Sequence, residues 1–473
     1  MIDRDMKAAI AVTRFGLGGR TGEIDQARSD PEGFLRAQIR PQGADLPAGE
    51  GETSAQRIAE LRAFRQTRRD ARPDGAGRNA GTPDTQDRDP VKMARRLLRD
   101  DTGADFLARA RLAAGAEAGF RERWALFWAN HFTVSATKLA TATVVGPFET
   151  EAIRPHVFGR FEDLLVAAET HPAMLLYLDQ AQSVGPDSRA AQFLRRRQAQ
   201  NGRQPGLNEN LAREILELHT VGVDGGYAQA DVTEFARALT GISIGGLRTD
   251  AEAAGTAMFR EAAHEPGART VMGVRYPDGG REQATAILAD LAGKPQTARF
   301  VCTKIARHFT ADQPDPALVA RLERSWTAGG GRLDRVAETL ISAPEAWDPQ
   351  PAKFKTPYEF LVSSWRAAGG GPRDIGALAG VLNGMGQKAF SAPSPKGWPD
   401  EAQNWAAPDA IVKRMTWAQA FAAAAASDRD PRRLADQALG ARLRPATATA
   451  IARAESRPEA FALLLMSPEF QRR

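Results

Sequence analysis

Cysteine is nearly missing from this chain. Cys302 is the only one in 473 residues, so no disulfide can form within the molecule and no compartment can be read from bridges. No eighteen apolar residues run together, which excludes a membrane-spanning helix at the level of sequence. The opening stretch, MIDRDMKAAIAVTRFGLGG, carries charges at Asp3, Arg4, Asp5 and Lys7. It lacks the long apolar core and small-residue cleavage site of a signal peptide, so a cytoplasmic location is the default expectation. The familiar catalytic signatures are absent too: there is no G-x-S-x-G, no H-E-x-x-H, no P-loop and no C-x-x-C. Nor does one sign of charge dominate. Lys+Arg 63 against Asp+Glu 58 leaves +5, a small excess for this length, so no nucleic-acid partner is expected.

What the chain does have is alanine and helical periodicity. Apolar residues recur at three- and four-residue spacing through most of the sequence, and alternating β-branched runs are scarce. The pattern predicts an all-α fold of helices in orthogonal or bundle-like packing. One small β-hairpin is expected near 256–276, with Pro266-Gly267 as its turn. Residues 1–63 read as an N-terminal helical segment. The charged, glycine- and proline-rich stretch 64–90 reads as a disordered linker. Residues 91–473 then form the helical core, with a mobile insertion at 183–206 and a C-terminal helical subdomain from about 281 to 473.

Polar residues at inward positions mark candidate functional groups. On a wheel of about 100° per residue, Leu211, Ile215 and Leu218 form a stripe that takes in Asn208 and His219, with Glu214 at its edge. His131 falls on the aromatic stripe of Phe120, Trp124, Phe127 and Trp128, beside Asn130. His171, just before Pro172, occupies an N-cap position. The following turn, GVDGGY, adds Asp224 and Tyr227. Buried polar groups need partners, so these residues imply either a ligand pocket or a satisfied structural network. His131, His219 and Glu214 are of the types that bind zinc or iron, although no H-x-x-x-H or H-x-x-E spacing pairs two of them on one helical face. Any cofactor is left open. Cys302 lies on the apolar side of its helix and reads as inert.

Longer stretches carry a family resemblance. FWANHFTVS, GLNENLAREILELHTVGVDGGYAQADVTEFARALTG, KTPYEFLVSSWRAAG and PSPKGWPDEAQNW, in this order, resemble the bacterial domain of unknown function 1800. The likeness implies a largely helical protein, commonly encoded beside a domain-of-unknown-function-1501 protein of the phosphatase and sulfatase type. A partner or maturation role for such a protein is the expectation it carries, with co-export to the periplasm as the alternative location. An enzyme or binding protein with a His/Glu/Asn pocket is the competing expectation. Trp128, Asn130, His131, His171, Asn208, Glu214, His219, Asp224, Tyr227, Asp231, Lys355, Pro357, Trp398, Pro399 and Asp400 match the family's pattern. Of these, Trp398-Pro399-Asp400 reads as a buried turn in which the aspartate caps the residues after it. The chain departs at Leu211, where tyrosine is usual, and at Ala228, where the usual threonine would cap a helix together with Asp231.

Overall fold

The computed structural model describes residues 3–49, 51–70, 90–197, 206–246, 255–425 and 430–473. Within them the fold is mainly α-helical, as the periodicity requires. Helix starts follow a repeated local recipe. Asp30, Asp315 and Asp430 each cap a backbone N–H with proline at the first helical position, and Ser467 does the same before Pro468. Thr356 and Glu359 close a reciprocal capping box at the start of the Pro357–Ala368 helix. At Ala228 half of such a box survives. Asp231 Oδ2 accepts from Ala228 N at 2.7 Å, while the alanine has no oxygen to return.

The core is sorted into packed groups. The largest spans Ala8 to Trp347, and its centre is aromatic: Phe120, Trp124, Phe127, Trp128, Phe158 and Phe309. A second runs from Phe360 to Phe470, and a third joins the Pro90–Gly115 helix to the Pro357–Ala368 helix. This third group ties residues before Trp347 to those after it. The boundary expected near 281 falls inside the first group, because Ala284, Ile287 and Leu288 bury themselves there.

Three local expectations are corrected. Residues 64–70 do not begin a linker. They complete the Ser54–Asp70 helix, where Phe64 packs with Leu61; residues 71–89 lie outside the described residues. In the stretch 183–206, Arg189–Arg197 is helical, and 198–205 lie outside the described residues. The hairpin expected within 256–276 is present, beside a second small sheet, but its turn lies elsewhere than Pro266-Gly267. β1 (Ile242–Ile244) pairs antiparallel with β2 (Ala257–Phe259), and β3 (Arg269–Val271) pairs with β4 (Val274–Tyr276) in the register Val271 to Val274. The tight turn is Met272-Gly273, with φ of 47° and 80°. Two successive positive φ values suit a two-residue hairpin whose twist matches its strands, and Pro266-Gly267 merely leads into β3. Among the described residues, no helix is long and apolar enough to cross a membrane.

Candidate functional site

Two of the predicted imidazoles do meet in the interior. His131 ends the Gly119–His131 helix, and its Nε2 lies 3.1 Å from the backbone oxygen of His219. The two rings are 5.9 Å apart. The acid beside them is Glu169, not Glu214. Glu169 Oε1 approaches His219 Nδ1 to 2.7 Å, with both side chains at most 1 % exposed, although the contact is off the hydrogen-bond line. Burial, reinforced by the charges of Lys304 and His219, holds His131 well below the ordinary histidine range. Glu214 stays half-buried, and burial raises its carboxyl against the pull of His219.

The helical wheel failed here for a geometric reason. After Asn210–Glu214 the chain winds as a π-helical turn, Ile215–His219, which adds a residue to the turn and rotates everything beyond it. Leu216 is consequently buried and Leu218 only half-buried. Thr220 Oγ1 donates to Ile215 O at 2.7 Å and satisfies a carbonyl at the turn's end. Asn208 precedes the helix; its side chain donates to Leu178 O and accepts from Asn210 N. Asp224 is exposed, and Tyr227 Oη donates to Glu217 at 3.4 Å. His171 occupies its N-cap, accepting from Ala173 N at 3.1 Å, while Nε2 meets Glu151 at 2.9 Å. The ligating atoms of His131, His219 and Glu214 do not gather to metal-binding distance. Among the described residues the one such trio is Glu52, Glu60 and Asp101, within 4.8 Å. There Arg57, paired to Glu52 at 2.9 Å and Asp101 at 2.8 Å, already supplies the positive charge.

A second polar cluster lines a cavity of about 130 Å³ between the Gly119–His131, Pro295–Phe309 and Pro357–Ala368 helices and the segment 387–400. Two charge pairs and one histidine–carboxylate pair reach its wall. Arg123 meets Glu359 at 2.5 Å, Arg109 meets Glu149 at 2.8 Å, and His308 Nδ1 meets Asp400 at 3.2 Å. Each anion is anchored again from behind. Glu359 also holds Arg473 at 2.9 Å, Glu149 holds Arg154 at 2.6 Å, and Asp400 holds Lys353 at 3.3 Å. Burial lowers His308 to about 4, assisted by Arg473 and opposed by Asp400. Burial acts on Asp400 in the other direction, but the His308 hydrogen bond and the Lys353 charge outweigh it and hold that carboxyl below its ordinary range. His308 is thus neutral at pH 7. Its Nε2 has no partner and lies out of reach of water. Apolar walls come from Phe106, Leu126, Phe148 and Phe390. Phe390 is held at φ of 45°, a strained conformation for a bulky residue.

Asn130 belongs to this wall rather than to the histidine pair. Its Oδ1 accepts from Trp398 N at 2.8 Å and its Nδ2 donates to Trp398 O at 2.9 Å. That clamp fixes the turn carrying Asp400, which pairs with His308 and Lys353 instead of capping a helix. Asn130→Ala is expected to cost about 1–3 kcal/mol and to speed amide hydrogen exchange selectively across residues 396–405. Unchanged exchange in that segment would show that the clamp is dispensable.

One of the missed residues carried a local signal. Glu169 was not among the expected residues, although it follows Phe161, Leu164, Leu165 and Ala168 on one buried stripe, a spacing that could have placed it inward. Arg123, Glu359 and the pairing of His308 with Asp400 had no local signal, since their partners lie tens or hundreds of residues away. A family model described as protein of unknown function (DUF1800) matches residues 10–472. No curated protein and no solved structure matches the chain.

Proposed function

The chain belongs to the DUF1800 family over nearly its whole length, and from that premise we propose that it binds a small, partly apolar molecule in the cavity at His308, where the His308–Asp400 pair handles a proton. One observation carries this reading: two charge pairs and the His308–Asp400 pair, contributed by distant parts of the chain, converge on the wall of one cavity. Such concentrations of shifted titratable groups beside apolar surface characterise ligand and active sites. Asp400 orients the imidazole through Nδ1, leaving Nε2 as the acceptor, an arrangement suited to general base chemistry. Because Nε2 is covered, a side-chain shift on binding must expose it. Nothing in the geometry or the comparisons favours a phosphatase- or sulfatase-like partner over this reading.

The test separates a site from a scaffold. At His308→Gln no partner of Nε2 is stranded, so stability should stay within about 1 kcal/mol of the parent in urea unfolding at pH 7. A loss of about 3 kcal/mol or more would make the pair structural and remove its claim to chemistry.

A further inference from the structure

Along one seam the interior holds more positive charge than negative. Arg14, Arg414, Arg442 and Lys355 are 1 %, 1 %, 5 % and 3 % exposed. Neighbouring buried arginines have acids: Arg123 and Arg473 share Glu359, and Arg366 holds Glu23. Among the described residues, none of the four forms an ion pair. Arg14 donates to the carbonyls of Ala346 and Gln350. Arg414 donates to Lys355 O and Gln471 Oε1 and lies over the Phe354 ring. Lys355 donates to Ser363 Oγ at 3.0 Å and sits 4.1 Å from the centre of the Phe470 ring. Arg442 Nη1 donates to Thr13 Oγ1, beside Arg14 in the chain, but its Nη2 has no partner, and neither has Arg14 Nε.

These cations act on one another, Arg14 on Arg442 and Arg442 on Lys355. The acids within influence do not balance them. Glu359 is already held by two arginines, Asp348 near Arg14 is exposed, and Glu469 is the one buried carboxylate left to Arg442. Glu469 Oε1 accepts from Arg444 N, and its Oε2 is unpartnered. A guanidinium keeps its proton in a protein, and a buried cation without a counter-charge is strongly unfavourable.

We propose that this seam binds a small inorganic anion, chloride or phosphate, with Arg442 as its principal ligand, Arg14 as a flanking charge and Lys355 as a neighbouring donor. The anion would tie the Ala11–Phe15 turn to the C-terminal helices by supplying the missing negative charge.

Thermal unfolding of the full chain at constant ionic strength in sodium gluconate, chloride and phosphate tests it. The midpoint should rise saturably with chloride or with phosphate, Arg442→Met should lose that response, and Arg442→Lys should keep part of it. A bromide-soaked crystal should show an anomalous peak beside Arg442 Nη2 if the site takes halide; a phosphate response without that peak assigns it to phosphate. Glu469→Gln should leave the response intact or enlarge it, and this variant decides the matter should Arg442→Met fail to fold. Equal midpoints in all three salts would overturn the proposal. So would a response that survives Arg442→Met, or one abolished by Glu469→Gln, which would trace the salt effect to Glu469 rather than to the buried cations.

Discussion

Arg154→Met is expected to destabilise the protein by about 3–5 kcal/mol, the usual consequence of stranding buried charge. Arg154 is fully buried. It holds both oxygens of Glu122 at 2.8 Å and reaches Glu149 Oε1 at 2.9 Å through Nε and 2.6 Å through Nη2. A further bond goes to Asp45 O at 2.7 Å. Forked, charge-assisted pairs of this kind are the strong ones. Methionine would leave Glu122 buried without a counter-charge and Glu149 with Arg109 alone. The loss should shrink in the double variant Glu122→Gln, Arg154→Met, because removing both ends strands less. Urea unfolding at pH 7 measures both; a single-variant loss below about 1 kcal/mol would show that water reaches the network.

Acidification should produce the second large effect. His131 and His308 have folded values below the ordinary histidine 6.5. As pH falls past about 6.5, the unfolded chain therefore takes up protons that the folded chain refuses, and stability declines. His308 contributes a slope of about 1.4 kcal/mol per pH unit, or about 2 kcal/mol by pH 5, and His131 adds a loss of the same sign. The His308 contribution levels off near pH 4, where the folded ring protonates as well. Asp105 works in the opposite sense. Burial raises it to about 6, so the folded state gains a proton first and recovers some stability between about pH 6 and pH 4. The net decline should flatten in a His131→Gln, His308→Gln double variant. A parent protein equally stable at pH 7 and pH 5 would mean that the rings are solvated in the native state.

Much of the helical architecture was legible because it is local. The His171-Pro172 step announced a helix start, and apolar spacing announced buried faces such as Phe161, Leu164 and Leu165. The site was legible only in part. His131 and His219 converge, as their inward positions required, but Asn208 lies before the helix begins, Glu214 is only half-buried, and the π-helical turn at Ile215–His219 shifts the residues that follow it. Trp398-Pro399-Asp400 stood out as a motif, yet its chemistry depends on His308, 92 positions earlier. No local rule couples residues at that separation; packing of the Pro295–Phe309 helix does. The same holds for Arg123 and Glu359, 236 positions apart. Each charged residue looked like ordinary surface until its partner was known.

The most direct test of the cavity as a ligand site is a crystallographic screen of small fragments that combine an apolar ring with a hydroxyl or amide. We expect bound fragments to cluster between Phe106, Phe390 and Asp400, with a polar atom against His308 or Asp400, and to be lost from that place in Asp400→Asn. Fragments that bind elsewhere on the molecule while this cavity stays empty would contradict the account.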